Sequence, residues 1–258
     1  MPMALLTLDV DGIISAIVIA RALIYLGINT SQGGYLGAFY VFVMLYFLAL
    51  SAIATRFGES YKKKSKLYQE TRGIKNVLAN GLGPLIFALV AYWLVSSGST
   101  GTQGFSFAVL AGFIASVAGV TADKFSSEIG ILDGAPTSIV TFKKLRKGTS
   151  GGITLLGLGA GLFGSFCIAA IAGYGAVALF PPHLFVQGCT SGCLGNVGAA
   201  TLTTVIALTL AGFVGTLVDS LLGHWEEKGI GNKYTTNFAC SIAGGAVGLL
   251  LLGLVYGL

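Results

Sequence analysis

The chain has 258 residues, 54% of them hydrophobic and only 10% charged, with a mean hydropathy of +0.84. A soluble domain carries about 25% charge, so a deficit spread over the whole length excludes an ordinary soluble fold and indicates a membrane protein. The balance of +5 does not point to nucleic acid, because the basic residues sit in short segments between apolar runs, as membrane topology requires.

A spanning helix needs about 20 apolar residues. Seven runs meet this, roughly Gly12–Ile28, Tyr35–Ala54, Val77–Val95, Phe105–Ala122, Ile153–Phe180, Val197–Leu222 and Phe238–Leu258. The first is interrupted by Arg21. It follows Asp9 and Asp11 rather than a basic segment, with no small-residue cleavage site, and so reads as a span and not a leader. The fifth is long and glycine-rich, which allows a tilt, a kink or a re-entrant stretch. Its Gly157 and Gly161 form a small-xxx-small pair suited to close helix packing. No polar stretch is long enough to bury a core of its own. Residues 1–258 therefore read as a single polytopic domain, an all-α integral membrane bundle of about seven transmembrane helices.

Every lysine and arginine except Arg21 falls after run two (Arg56, Lys62, Lys63, Lys64, Lys66, Arg72, Lys75), after run four (Lys124, Lys143, Lys144, Arg146, Lys147) or after run six (Lys228, Lys233). These alternate segments share one side. The positive-inside rule makes that side, and the N-terminus, cytoplasmic, with the cell membrane as the expected location. The acidic residues collect at the same side, which the rule does not demand, and so suggest a polar site there. Lys62, Lys63, Lys64 and Lys66 read as a solvated run facing anionic lipid. Cys167 and Cys240 lie in apolar runs and read as small buried hydrophobes. Cys189 and Cys193 share a loop with His183, where a disulfide is open if that loop meets an oxidising space.

Five segments carry polar chemistry. In Thr121–Gly130, Asp123 ends an apolar run, where an ionisable side chain is costly and marks function or else a solvated helix end. Glu128 follows five residues later, about 140° around a helix. Both reach one site only if the helix breaks or a third element lies between them. In Lys143–Gly152, the cations Lys143, Lys144, Arg146 and Lys147 lead into Gly148, Thr149, Ser150, Gly151 and Gly152. Glycines there let backbone N–H groups approach an anion, and Thr149 and Ser150 can donate hydrogen bonds or cap the next helix. A flexible topological loop is the plainer reading. Asp219 and Ser220 lie at the inner end of run six, and Gly119-x-x-x-Asp123 matches Gly215-x-x-x-Asp219. Two such carboxylates suit Mg²⁺, which takes few carboxylates plus phosphate oxygens and water. Asn76 and Asn80 share a helix face one turn apart, near Arg56 and Arg72. Thr236 or Asn237 is placed to cap the last run.

Ala54-Thr-Arg-Phe-Gly58, Asn76-Val-Leu-Ala-Asn-Gly81, Thr121-Ala-Asp123 with Ser127-Glu-Ile-Gly130, Gly148-Thr-Ser-Gly-Gly152, Leu217-Val-Asp-Ser-Leu-Leu-Gly223 and the closing Asn237 occur in one order. The set resembles, over nearly the whole chain, the family filed as domain of unknown function 92. That family includes the transmembrane protein 19 group and plant phytyl-phosphate kinase. The chain departs from it at Lys124-Phe-Ser, where a tryptophan is commoner, and in its very short loop after run six. The resemblance implies a transferase that phosphorylates an isoprenoid (prenyl, phytyl or geranylgeranyl) monophosphate to the diphosphate. CTP would be the donor, or ATP, with Mg²⁺. It implies Asp123, Glu128 and Asp219 as catalytic metal ligands and the Lys143–Gly152 segment on the donor phosphates. Arg56, Arg72, Asn76, Asn80, Ser127, Ser220 and Asn237 would serve the substrate. A homodimer is compatible with this. The rival class is a transporter or lipid flippase, since intramembrane acids also mark substrate pathways.

Overall fold

The computed structural model describes residues 8–30, 34–68, 72–97, 102–179 and 197–256. The disulfide left open for Cys189 and Cys193 lies outside these residues, as does His183. Eight helices occur among them: α1 (Val10–Ile28), α2 (Gly34–Arg56), α3 (Glu59–Lys64), α4 (Ile74–Ser96), α5 (Thr102–Gly130), α6 (Leu155–Leu179), α7 (Val197–Glu226) and α8 (Lys233–Tyr256). All but α3 are long and apolar enough to cross a membrane. A helix satisfies every backbone polar group internally, as hydrocarbon requires.

The bundle is organised around α5. Phe107, Phe113, Ile114 and Val117 are fully buried, and α5 is wrapped by α4, α6, α7 and α8, with α2 behind. The outer helices turn large apolar residues outward, among them Val18, Trp93, Leu202 and Leu254. That is the pattern of a lipid-facing exterior, because contiguous exposed apolar surface is not kept in water.

Close packing follows the small residues. A Cβ on Gly215 of α7 would lie 2.8 Å from the carbonyl oxygen of Cys240 and 3.3 Å from the α-carbons of Gly119 and Gly244. Three helices thus meet backbone to backbone. On α6, a Cβ on Gly157 or Gly161 would stand 3.1 or 3.2 Å from carbonyl oxygens of α5, as expected of a packing pair.

Several expected boundaries move, each for a polar reason. Run four does not end at Ala122; α5 continues to Gly130, with Asp123 and Lys124 buried in protein and Gly130 packed against Gly157 of α6. Run five is one helix, neither broken nor re-entrant. It is capped not by Thr149 or Ser150 but by Thr154, whose Oγ1 accepts from the Gly157 N–H at 3.0 Å. The last helix starts five residues early. Asn232 caps it, accepting from the Tyr234 and Thr235 N–H groups at 3.0 and 3.2 Å, so Thr236 and Asn237 are interior residues.

At the charged end, a short antiparallel hairpin of β1 (Thr137–Ser138) and β2 (Gly152–Ile153) carries the Lys143–Gly151 turn. The segment before α1 is tied to the entrance of α4 by a parallel bridge between Leu8 and Arg72.

Candidate functional site

A polar cavity of about 520 Å³ opens at the charged end of the bundle. It is bounded by the starts of α4 and α8, the ends of α5 and α7, and the hairpin turn. Its deepest acids are Asp123 and Asp219, 9% and 6% exposed. Their convergence follows from the glycine contact beneath them. Gly119 and Gly215 touch, and residues four apart share a helix face, so Asp123 and Asp219 emerge together one turn further on.

Lys233, the first residue of α8, faces both. Its Nζ lies 3.0 Å from Asp219 Oδ2 and 3.8 Å from Asp123 Oδ1. Asp219 Oδ1 is buried with no hydrogen-bond partner among the described residues. One turn along α8, Asn237 Nδ2 donates to Asn80 Oδ1 at 3.3 Å, which closes the floor between α8 and α4.

Glu128 does not join that pair. It sits at the centre of a cationic cage. Lys62 Nζ donates to Oε2 at 2.8 Å, and Arg72 Nη2 to Oε1 at 3.0 Å. Lys124 pairs with Oε1, and Thr55 Oγ1 donates to it at 3.3 Å. Both carboxylate oxygens are therefore engaged, and the expectation of three acids on one metal reduces to two. Among the described residues no group of three acidic, histidine or cysteine side chains is disposed to hold a metal. Helix α5 stays unbroken between Asp123 and Glu128, and Arg72 supplies the third element. Burial pushes its guanidinium below the usual range, while Glu128 and then Asp123 pull it back up.

Lys62 is likewise corrected. It is not a solvated, lipid-facing cation. Its side chain is fully buried, and Nζ also donates to the carbonyl oxygens of Ala54 at 3.2 Å and Thr55 at 2.5 Å. These carbonyls near the end of α2 carry partial negative charge and favour a cation there. Lys63 does face outward, paired with Glu59 at 2.6 Å.

The Gly148–Gly152 turn lines the cavity, but it is held by protein. The Ser150 N–H donates to Glu227 Oε1 at 2.8 Å, Ser150 Oγ donates to Glu226 Oε1 at 3.1 Å, and the Thr149 N–H donates to the Arg146 carbonyl at 3.2 Å. Those two N–H groups are thus already engaged. Gly151 has φ +76° and meets α7 at Gly223, where a Cβ would stand 2.4 Å from the Gly151 nitrogen. Gly223→Val therefore undocks the turn; overpacking of this kind costs about 1–3 kcal/mol. Trypsin should then cut within Lys143–Lys147 faster, with helix content by circular dichroism unchanged. Unaltered proteolysis would show that the turn is held elsewhere.

Of the expected site residues, Asn76, Asn80, Arg72, Ser127, Ser220, Asn237 and Lys147 line the cavity beside the acids and the turn. Arg56, Lys143, Lys144 and Arg146 do not: Arg56 ends α2 on an exposed face, and the other three are exposed on the hairpin turn, with Lys144 Nζ donating to the Ala135 carbonyl at 3.3 Å. Lys147 alone of that run turns inward, donating to Tyr61 Oη at 2.7 Å and to the Ile131 carbonyl at 3.3 Å. Sequence reasoning missed Lys233, Lys124 and Lys66 on the cavity wall. Lys233 had a usable signal. It lies one turn before Asn237 on the same face, at the edge of an apolar run.

Residues 2–247 match the family described as Integral membrane protein DUF92. The chain belongs to this family. It is 34% identical over 246 residues to the uncharacterized membrane protein MJ0933 of Methanocaldococcus jannaschii, covering 95% of this chain and 85% of that one. It is 30% identical over 189 residues to Protein PGR of Arabidopsis thaliana, covering 70% of this chain and 62% of that protein. The match to Protein PGR thus spans less than two thirds of its length. No solved structure matches. Within the DUF92 family the cavity described above therefore rests on this chain's own geometry.

Proposed function

We propose that this DUF92 protein is a phosphotransferase that converts an isoprenoid monophosphate to the diphosphate, with a nucleoside triphosphate, CTP or ATP, as donor. The observation that carries the reading is the pairing of Asp123 with Asp219 across Lys233 at the floor of a polar cavity that is walled by Arg72, Lys124 and Lys147 and sits at the membrane rim. In this reading the charged end faces the cytosol, where the donor is found.

Phosphoryl transfer asks a protein mainly for positioning and charge stabilisation. The donor set fits Mg²⁺: two carboxylates from neighbouring helices, one with a buried oxygen that lacks a partner among the described residues, leave room for phosphate oxygens and water. Asp123 and Asp219 would hold the ion, which when bound neutralises charge on the transferring phosphate. Lys233 offsets the paired carboxylates. Arg72 and Lys124 attract the acceptor phosphate near the α4 N-terminus, whose N-cap residue, Gly73, has no side chain to cap it. An acceptor oxygen attacks the γ-phosphorus, the bond to the β-phosphate bridging oxygen breaks, and the nucleoside diphosphate leaves. A phosphomonoester has a second pKa of about 6, so the acceptor is already mostly dianionic at neutral pH and no general base is needed.

Purified protein with γ-labelled triphosphate and geranylgeranyl monophosphate should form labelled diphosphate. No transfer with any of the four common nucleotides would end the reading. Flux of the lipid phosphate across sealed vesicles without product would favour a transporter instead.

A further inference from the structure

A second cavity of about 230 Å³ runs between α1, α2 and α4. Its walls are apolar, with Ile17 and Leu23 from α1, and Val41, Leu45 and Leu48 from α2. At the charged end, Arg72, Asn76, Asn80 and Lys124 line both this trough and the polar cavity. The two spaces therefore join through a neck of two cations and two amides.

One buried donor at the neck supports an anionic ligand there. Arg72 Nε has no hydrogen-bond partner among the described residues. Buried polar atoms are otherwise almost always paired. The trough's wall on α2 runs from Ser51 to Val41, about 15 Å at 1.5 Å per residue. That is half of a hydrocarbon layer of about 30 Å, so the trough reaches from the rim to the middle of the bilayer.

We propose that this trough is the chain-binding subsite for a single-chain lipid phosphate, whose anionic head passes through the neck to Arg72 and Lys124. The proposal rests on the phosphotransferase reading and adds the place of the acceptor. The volume is below the roughly 300–1,000 Å³ of ordinary ligand pockets, which suits one hydrocarbon chain rather than the two of a bilayer phospholipid. An apolar wall with cations at one end only fixes the ligand's polarity. The reacting phosphate lies beside Asp123 and the tail lies between α1 and α2.

The test is photolabelling of the full chain in nanodiscs by geranylgeranyl monophosphate carrying a diazirine at its tail. Label should map to α1 and α2 around Leu23, Val41 and Met44. Unlabelled geranylgeranyl monophosphate should displace it, and excess phospholipid should not. Ala20→Trp, which fills the trough from α1, should lower labelling and the preference for long over short acceptors by about tenfold or more. Ala16→Trp gives a second reading if the first variant is poorly made. Label on helices other than α1, α2 and α4, or displacement by phospholipid, overturns the subsite even if phosphoryl transfer is observed. Label in the trough with no transfer leaves the subsite standing and removes the kinase reading.

Discussion

Asp219→Asn should lower kcat by about 10²–10³-fold, the range seen when one preorganised charge-stabilising group is lost from an active site. Asparagine keeps the shape of the side chain but removes the charge that balances Lys233 and would hold a cation. Asp219 Oδ2 is 3.0 Å from Lys233 Nζ, and its other oxygen is buried without a partner among the described residues. Neither atom has a structural role that requires ionisation except through that lysine. Insertion and chromatographic behaviour in detergent should therefore match the parent chain. Asp123→Asn should act alike, and the two losses together should fall well short of the product of the single losses, because groups serving one metal act as a unit. A variant that keeps its rate removes the pair from the chemistry. Equal loss of rate and of folded yield would make the pair a structural ion-pair network instead.

The membrane architecture was legible because hydrocarbon imposes one rule on every span, a long apolar run with internal hydrogen bonding. The convergence of Asp123 and Asp219 was half legible. The shared Gly-x-x-x-Asp pattern is itself the cause, since the glycines set the helix contact and the acids follow one turn later. What stayed hidden depends on long-range pairing. Nothing local marks Lys62 as different from Lys63 or Lys64. Its distinction is a carboxylate 66 residues away on α5. The same blindness made Glu128 look like a partner of Asp123 rather than of Lys62 and Arg72 from other segments, joined by Lys124 one turn back on α5. The glycine turn looked like a free anion cradle because its anions, Glu226 at the far end of α7 and Glu227 just beyond it, lie 76 and 77 residues along the chain from Ser150.

Glu128→Gln should be the most destabilising single substitution at the charged end. Glutamine leaves Lys62, fully buried, and Arg72 and Lys124, mostly buried, without their shared counter-charge. Removing one partner of a buried ion pair costs about 3–5 kcal/mol, because the remaining charge is stranded. For a chain of this size that is a fall in melting midpoint on the order of 10 °C. The stranded charge, rather than the lost contact, is the cause, and this distinguishes the explanation from simple packing loss. Lys62→Met keeps the apolar stem volume and removes the buried cation, while Glu128 retains Arg72 and Lys124. It should cost less than Glu128→Gln alone. Combining the two should recover part of the loss, since the double variant has no buried cation at position 62 left to desolvate. Strictly additive melting shifts would mean that Lys62 and Glu128 are not coupled. The cage would then not be what holds α3 and the entrance of α4 against the end of α5.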